Sequence, residues 1–189
     1  MTFFKFTKSR DSFAVVFHLL CMVVLLLMSS ASHSKNREEI AKRTPFLDML
    51  NVANRIVQKY YPQGAQFYEA DFDAVKRNTW QFVFNYPPCR GEKSHSTILL
   101  RMTRRGTFQL PTQVCEPLTG KAIPLPLNLS LKEARKLAKE AGCGGEWEEF
   151  RHIQLRWPAE PAEEAHYLFT MKRGQALVGV NSKQVRCVN

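Results

Sequence analysis

No part of the 189-residue chain carries a glycine-rich phosphate loop, a paired Cys-x-x-Cys or a His-Glu-x-x-His string, so these signatures of cofactor and metal chemistry are missing. Nine glycines and ten prolines are ordinary numbers and exclude a collagen or a low-complexity chain. Acidic side chains are scarce, 17 against 27 Lys and Arg, which gives a net charge of +10. Such an excess favours anionic partners through a long-range attraction that salt screens. Nucleic acid is disfavoured among them, because no helix-turn-helix or RNP-like string occurs and the chain opens with an export pattern. With 44% hydrophobic residues the chain has enough apolar material for one or two small globular units.

Lys5, Lys8 and Arg10 precede an apolar run from Phe13 to Met28, and Ser29-Ser30-Ala31-Ser32 then offers small residues of the kind a signal peptidase needs. The run falls short of the roughly 20 residues of a bilayer span. Residues 1–32 therefore read as a cleaved signal peptide, with an uncleaved anchor as the alternative, and the expected location is secreted, periplasmic or cell-envelope. Cys21 lies mid-run without the small residue expected before a lipid-bearing cysteine. Removing 1–32 takes away three basic side chains and one acidic one, so +10 becomes +8. It also leaves Cys89, Cys115, Cys143 and Cys187, an even set without metal-type spacing that reads as two disulfides in an oxidising compartment.

Residues 33–43 are polar and aperiodic and read as a tether. A helix is expected from Thr44 as N-cap and Pro45 as first residue, with Phe46, Leu47, Leu50, Ala53, Ile56, Val57 and Tyr60 at helical spacing; Tyr61-Pro62-Gln63-Gly64 ends it. Tyr68, Ala70, Phe72 and Ala74 then alternate with Glu69, Asp71 and Asp73, and Trp80, Phe82, Phe84 and Tyr86 alternate with Gln81 and Asn85. Both patterns are period-two strands. Residues 96–103 and 107–112 make a hairpin around Arg104-Arg105-Gly106. The connector 116–129 is rich in proline. Ser130 and Glu133 then open a second helix with a capping box, and strands are expected at 150–157, 167–171 and 176–180, with a short return near Val185.

Helix plus antiparallel meander thus occurs twice, in units 44–115 and 130–189. The fold class this predicts is α+β, as two tandem units, each with its helix laid across its own sheet to hide one apolar stripe and one apolar face. In that topology Cys89 and Cys115 fall at one edge of the first sheet. Cys143 follows the second helix and Cys187 lies on the return strand, so the expected pairings are Cys89–Cys115 and Cys143–Cys187, out of three formal possibilities.

Leu129 to Gly142, followed by strands ending Val178-Gly179-Val180-Asn181-Ser182-Lys183, resembles the PepSY family of exported small domains, although Asn181 and Lys183 replace that family's usual Asp and Thr-Gly. The resemblance covers the second unit; the first shares only element order and Tyr61-Pro62-Gln63-Gly64-Ala65. It implies a non-catalytic envelope or secreted module that attaches to or restrains a peptidase. Gln175-Ala176-Leu177-Val178-Gly179 also looks like the Q-x-V-x-G hairpin of the cystatins, with Leu in place of Val, but here Lys172-Arg173-Gly174 already makes the turn and puts the string in a strand.

Chemistry-bearing residues are few. Glu69, Asp71 and Asp73 share a strand face and could act as paired carboxylates or calcium ligands, but without a second oxygen-rich cluster they read as a solvated face. His33, His95, His152 and His166 lack metal spacing, and His152 meets His166 only if their strands pair in a favourable register. Trp80, Phe82, Phe84 and Tyr86 read as core rather than a ligand groove. Basic residues gather in Arg101, Arg104 and Arg105 and, along the second helix, in Lys132, Arg135, Lys136 and Lys139, the wet side of an amphipathic helix and the first place to seek a partner. Asn128-Leu129-Ser130 is a glycosylation sequon. The reading is of a binding protein, not an enzyme, without cofactor or metal, whose partner is a protein, a peptidase if the resemblance holds. The alternatives are an envelope factor that binds anionic lipid or glycan through a basic surface and, third, a small enzyme of unknown type.

Overall fold

The computed structural model describes residues 45–86, 96–116, 118, 120–143, 150–158 and 162–188. Its elements run α1 (Phe46–Tyr60), β1 (Gln66–Asp73), β2 (Thr79–Tyr86), β3 (Ser96–Arg101), β4 (Thr112–Val114), α2 (Leu131–Glu140), β5 (His152–Arg156), β6 (His166–Thr170), β7 (Gln175–Gly179) and β8 (Val185–Val188). The expectation of two separate helix-on-meander units is overturned. Among the described residues, all eight strands form one antiparallel sheet in the order β4-β3-β2-β1-β5-β6-β7-β8, and that sheet dominates them, with two helices. The join is between β1 and β5, where Ala70 faces Leu155, Asp71 faces Gln154, Phe72 faces Ile153 and Asp73 faces His152. Two separate meanders would each leave their first strand as a bare edge with a row of unpaired N–H and C=O groups; pairing β1 with β5 removes both edges at once.

The helices pack on one face of this sheet and share one core. α1 contributes Phe46, Met49, Leu50, Ala53 and Val57, and α2 contributes Ala134 and Ala138. The strands contribute Phe67, Ala70, Trp80, Phe82, Phe84, Ile98, Leu100, Leu155, Tyr167, Phe169, Ala176 and Val178. Phe46 packs against Trp80 of β2 at a tilt, 4.7 Å between ring centres, and meets Tyr167 of β6 edge-on at 6.0 Å, so α1 reaches across the join and is not confined to its own meander. The buried Tyr167 hydroxyl donates to the Leu129 carbonyl at 2.9 Å, which ties β6 to the connector. That connector is itself packed: Ile123 is buried, its N–H donates to the Phe67 carbonyl at 2.7 Å, and the Trp157 indole donates to the Ala122 carbonyl at 3.2 Å.

α2 carries the expected capping box. The Glu133 N–H donates to the Ser130 hydroxyl oxygen at 3.2 Å, and the Ser130 N–H donates to the Glu133 carboxylate at 3.0 Å. The expected Thr44 cap of α1 lies outside the described residues; Pro45 caps the helix through its carbonyl, without a side-chain bond. Cys143 and Cys187 form a disulfide that fastens the end of α2 to the edge strand β8. Cys115 is also disulfide-bonded, and its expected partner Cys89 lies outside the described residues.

Two local details differ from the sequence pattern. A bulge between Phe67 and Glu69 turns Phe67, rather than Tyr68, into the core. The fourth strand starts only at Thr112, after an isolated bridge between Met102 and Phe108, because Pro111 has no N–H for the ladder.

Candidate functional site on the helix-free face of the sheet

Residues of opposite parity point to the face that neither helix covers. At the β1–β5 join this places Glu69, Asp71 and Asp73 beside His152, Gln154 and Arg156, with Gln81 of β2 and Arg101 of β3 continuing the row. Asp71 is at the centre and is only 8% exposed. One carboxylate oxygen is bonded to His152 Nε2, and the other accepts from Arg77 Nη2, which reaches over from the β1–β2 turn. Arg77 Nη1 and Arg101 Nε both donate to Gln81 Oε1 at 3.0 Å, and the Gln154 amide donates to Glu69 Oε1 at 3.2 Å. Burial raises the Glu69 carboxyl above its usual range and Asp71 adds to the rise, while Arg156, the Gln154 amide and His152 oppose it. Asp73 is held below the usual carboxylate range by the N–H groups of Lys76 and Val75, which it accepts at 2.8 and 3.0 Å. On the same face Val83, Leu168 and Leu177 are buried outside the main core cluster.

The three acidic residues therefore do share a face, but it is an organised polar network and not a simple solvated strand. Both oxygens of Asp71 are engaged, which suits a carboxylate that holds neighbours in place. The amides of Gln81 and Gln154 and the exposed guanidinium groups of Arg101 and Arg156 border it as hydrogen-bonding groups of fixed position. Among the described residues no group of three His, Cys, Asp or Glu side chains is disposed to hold a metal ion.

Sequence reasoning singled out Glu69, Asp71, Asp73, His152 and Arg101 and missed Arg77, Gln81, Gln154 and Arg156. The outward parity of Gln81 was readable; its neighbours across the join were not. His152 and His166 are not brought together. His152 faces Thr170, whereas His166 faces Arg156 at the far end of the strand pair and contacts the Glu164 carbonyl at 2.9 Å through Nδ1. His33 and His95 lie outside the described residues. Trp80, Phe82 and Phe84 are core, while Tyr86 is half-buried against Tyr61 at 5.0 Å.

The two basic clusters are apart in the fold. Arg104 and Arg105 are exposed in the β3–β4 turn beyond Arg101, whereas α2 packs near β7 and β8 on the helix side. Lys132, Arg135, Lys136 and Lys139 are exposed on α2; Arg135 lies 4.6 Å above the Phe150 ring and Lys136 pairs with Glu140 at 3.7 Å. Asn128 is exposed and donates to Asn181 at 2.8 Å. The cystatin-like string is strand β7, with Ala176 to Gly179 buried.

No family model matches this chain, and no curated protein matches it. Among solved structures it is similar to a putative lipoprotein from Clostridium difficile 630, at 10% identity and a TM-score of 0.53, over 78% of this chain and 93% of that one. At that identity the likeness concerns the fold.

Proposed function

We propose that this is an exported, non-catalytic binding protein that recognises its partner with the helix-free sheet face centred on the β1–β5 join. The observation that carries the reading is Asp71: an almost buried carboxylate, held from both sides by Arg77 and His152 on the face opposite α1 and α2. Desolvating charges in this way adds little to stability that well-packed apolar side chains would not add, so their presence favours a role in recognition. Because both Asp71 oxygens are engaged, that carboxylate fixes the Arg77 and His152 side chains in place, which supports a positioned binding surface. Export is supported by the charged and apolar N-terminal segment, by the Cys143–Cys187 disulfide and by the lipoprotein designation of the clostridial structure. A peptidase-restraining hairpin made from Gln175 to Gly179 is not part of this proposal, since that string is buried within the sheet.

Photo-crosslinking in the producing cell tests the surface. A crosslinking residue at position 154 is expected to give a discrete adduct, while the same residue at position 132, on the outer side of α2, is not. Adducts from 132 alone, or none from 154 where the protein is present at native level, refute the assignment.

A further inference from the structure

We infer that one end of the sheet is a docking rim for an anionic phospholipid surface, built by the turns β1–β2, β3–β4 and β6–β7. The ladder places them together: Asp73 faces both Thr79 and His152, Arg101 faces Gln81, and His152 faces Thr170, which faces Gln175. Each turn has the same chemistry, two adjacent basic residues followed by one with positive φ: Lys76-Arg77-Asn78 (φ 51°), Arg104-Arg105-Gly106 (φ 78°) and Lys172-Arg173-Gly174 (φ 90°). Turn geometry requires the left-handed residue and accepts almost anything before it, so the repeated basic pair is not a by-product of the turns. Lys76, Arg104, Arg105, Lys172 and Arg173 are exposed, and among the described residues no carboxylate lies within ion-pair distance of them. Arg77 is already committed to Asp71. Arg151 is also at this end, and Glu146, Glu148 and Glu149 closely precede it in the chain. Among the described residues at the opposite end, the β7–β8 turn has one basic residue, Lys183, and the Asn181 and Ser182 N–H groups there donate to the Glu164 carboxylate.

Two observations select a lipid surface over a soluble polyanion. Val75, 74% exposed, projects beside Lys76 at the tip of the β1–β2 turn, and the 41% exposed Val188 lies at the same end, opposite Gln175. An aliphatic side chain among basic ones suits a headgroup boundary, where the apolar part enters and the cations stay with the phosphates. Furthermore, α1 begins at this end, since Phe46 packs against Trp80 at the start of β2. If the apolar run 13–28 is retained, as in the alternative reading of an uncleaved anchor, it leads into the fold at the rim end. With strands about 4.8 Å apart, the outermost of the three turns are roughly 24 Å apart along the sheet edge, wide enough to meet a flat surface at several points.

This inference does not rest on the reading of the β1–β5 face. It is tested with the chain from His33 onward, which retains every core residue, from Phe46 to Val185. Co-sedimentation is measured with vesicles of phosphatidylcholine alone and of phosphatidylcholine with phosphatidylglycerol, at low and high salt. Binding is expected only to the anionic vesicles and is expected to weaken with salt. The variant Arg104→Gln/Arg105→Gln/Lys172→Gln/Arg173→Gln should lose roughly 600-fold in affinity, from roughly fivefold for each of four basic residues at an anionic surface. The equally charged variant Lys132→Gln/Lys136→Gln/Lys139→Gln/Lys183→Gln should retain most of it. Replacing Arg104, Arg105 and Arg173 by Lys should preserve binding, and Val75→Ser should weaken it. Equal losses in the two Gln variants would reduce the effect to net charge. Undiminished binding by the rim variant, or retention on heparin with no binding to anionic vesicles, would equally overturn the inference.

Discussion

Replacing Asp71 by Asn tests whether the polar network serves stability or recognition. The substitution keeps the shape but removes the charge that Arg77 and His152 share. Breaking a fully buried ion pair from one side costs about 3–5 kcal/mol, because the partner is left desolvated and alone. Here the partners retain access to water, with side-chain exposures of 37% for Arg77 and 32% for His152, so the cost should fall to about 2–3 kcal/mol. For a folded body of roughly 150 residues that is a fall in Tm of about 5–10 °C, readable by near-ultraviolet circular dichroism or calorimetry. The combined variant Asp71→Leu/Arg77→Met/His152→Leu removes the whole group and leaves no orphaned charge, so its stability should return to within about 1 kcal/mol of the parent. Failure of that recovery would sink the argument, since it would show the network to be a folding element. No loss in Asp71→Asn would equally contradict the burial and pairing on which the site is built.

Two further outcomes follow from the same structure. The Cys143–Cys187 bond closes a loop with a sequence separation of 44, and the chain-entropy model assigns such a closure about 4 kcal/mol; Cys143→Ala/Cys187→Ala should lower the denaturation midpoint accordingly and raise amide exchange first in β8, and an unchanged midpoint would show that β8 is held without it. Glu69, whose carboxyl is raised by burial, should oppose folding at neutral pH, because a raised folded-state value stabilises the protein fully only below the unfolded value near 4.5 and that gain is lost as pH rises through the folded value. Glu69→Gln should therefore be more stable than the parent at pH 7 and lose that advantage toward pH 4, which paired urea melts would show; a destabilised variant at pH 7 would reverse the sign.

Local pattern made much of this fold legible. Period-two alternation located strand after strand, the Ser130–Glu133 pair located the start of α2, and the order of elements was enough to pair Cys143 with Cys187. The step from elements to architecture failed at one place, the pairing of β1 with β5. Asp71 and His152 are 81 positions apart, and nothing in either strand states that the other will lie beside it. Alternation tells which side chains share a face; it does not tell which strand covers which edge. The candidate site was therefore half visible, as three acids on one face, and the residues that convert them into a network came from the far side of the join. The third basic turn was hidden for a simpler reason. Asn78 fills the left-handed position that Gly106 and Gly174 fill in the other two, so the usual glycine signal was absent.

The two surfaces meet at Arg77. Its guanidinium belongs to the Asp71 network, while its backbone belongs to the turn that carries Val75 and Lys76. Asp73 fixes the other side of the same turn through the N–H groups of Val75 and Lys76. The β1–β2 tip is thus held by two carboxylates from the strand that leads into it, whereas the β6–β7 tip has a single backbone bond, from the Met171 N–H to the Gly174 carbonyl at 3.1 Å. Ordering a long side chain or a loop on binding costs entropy, and a tip already fixed avoids that cost. The acids of β1 therefore act on both surfaces: they set the geometry of the recognition face, and they hold the middle of the rim in the position from which Val75 projects.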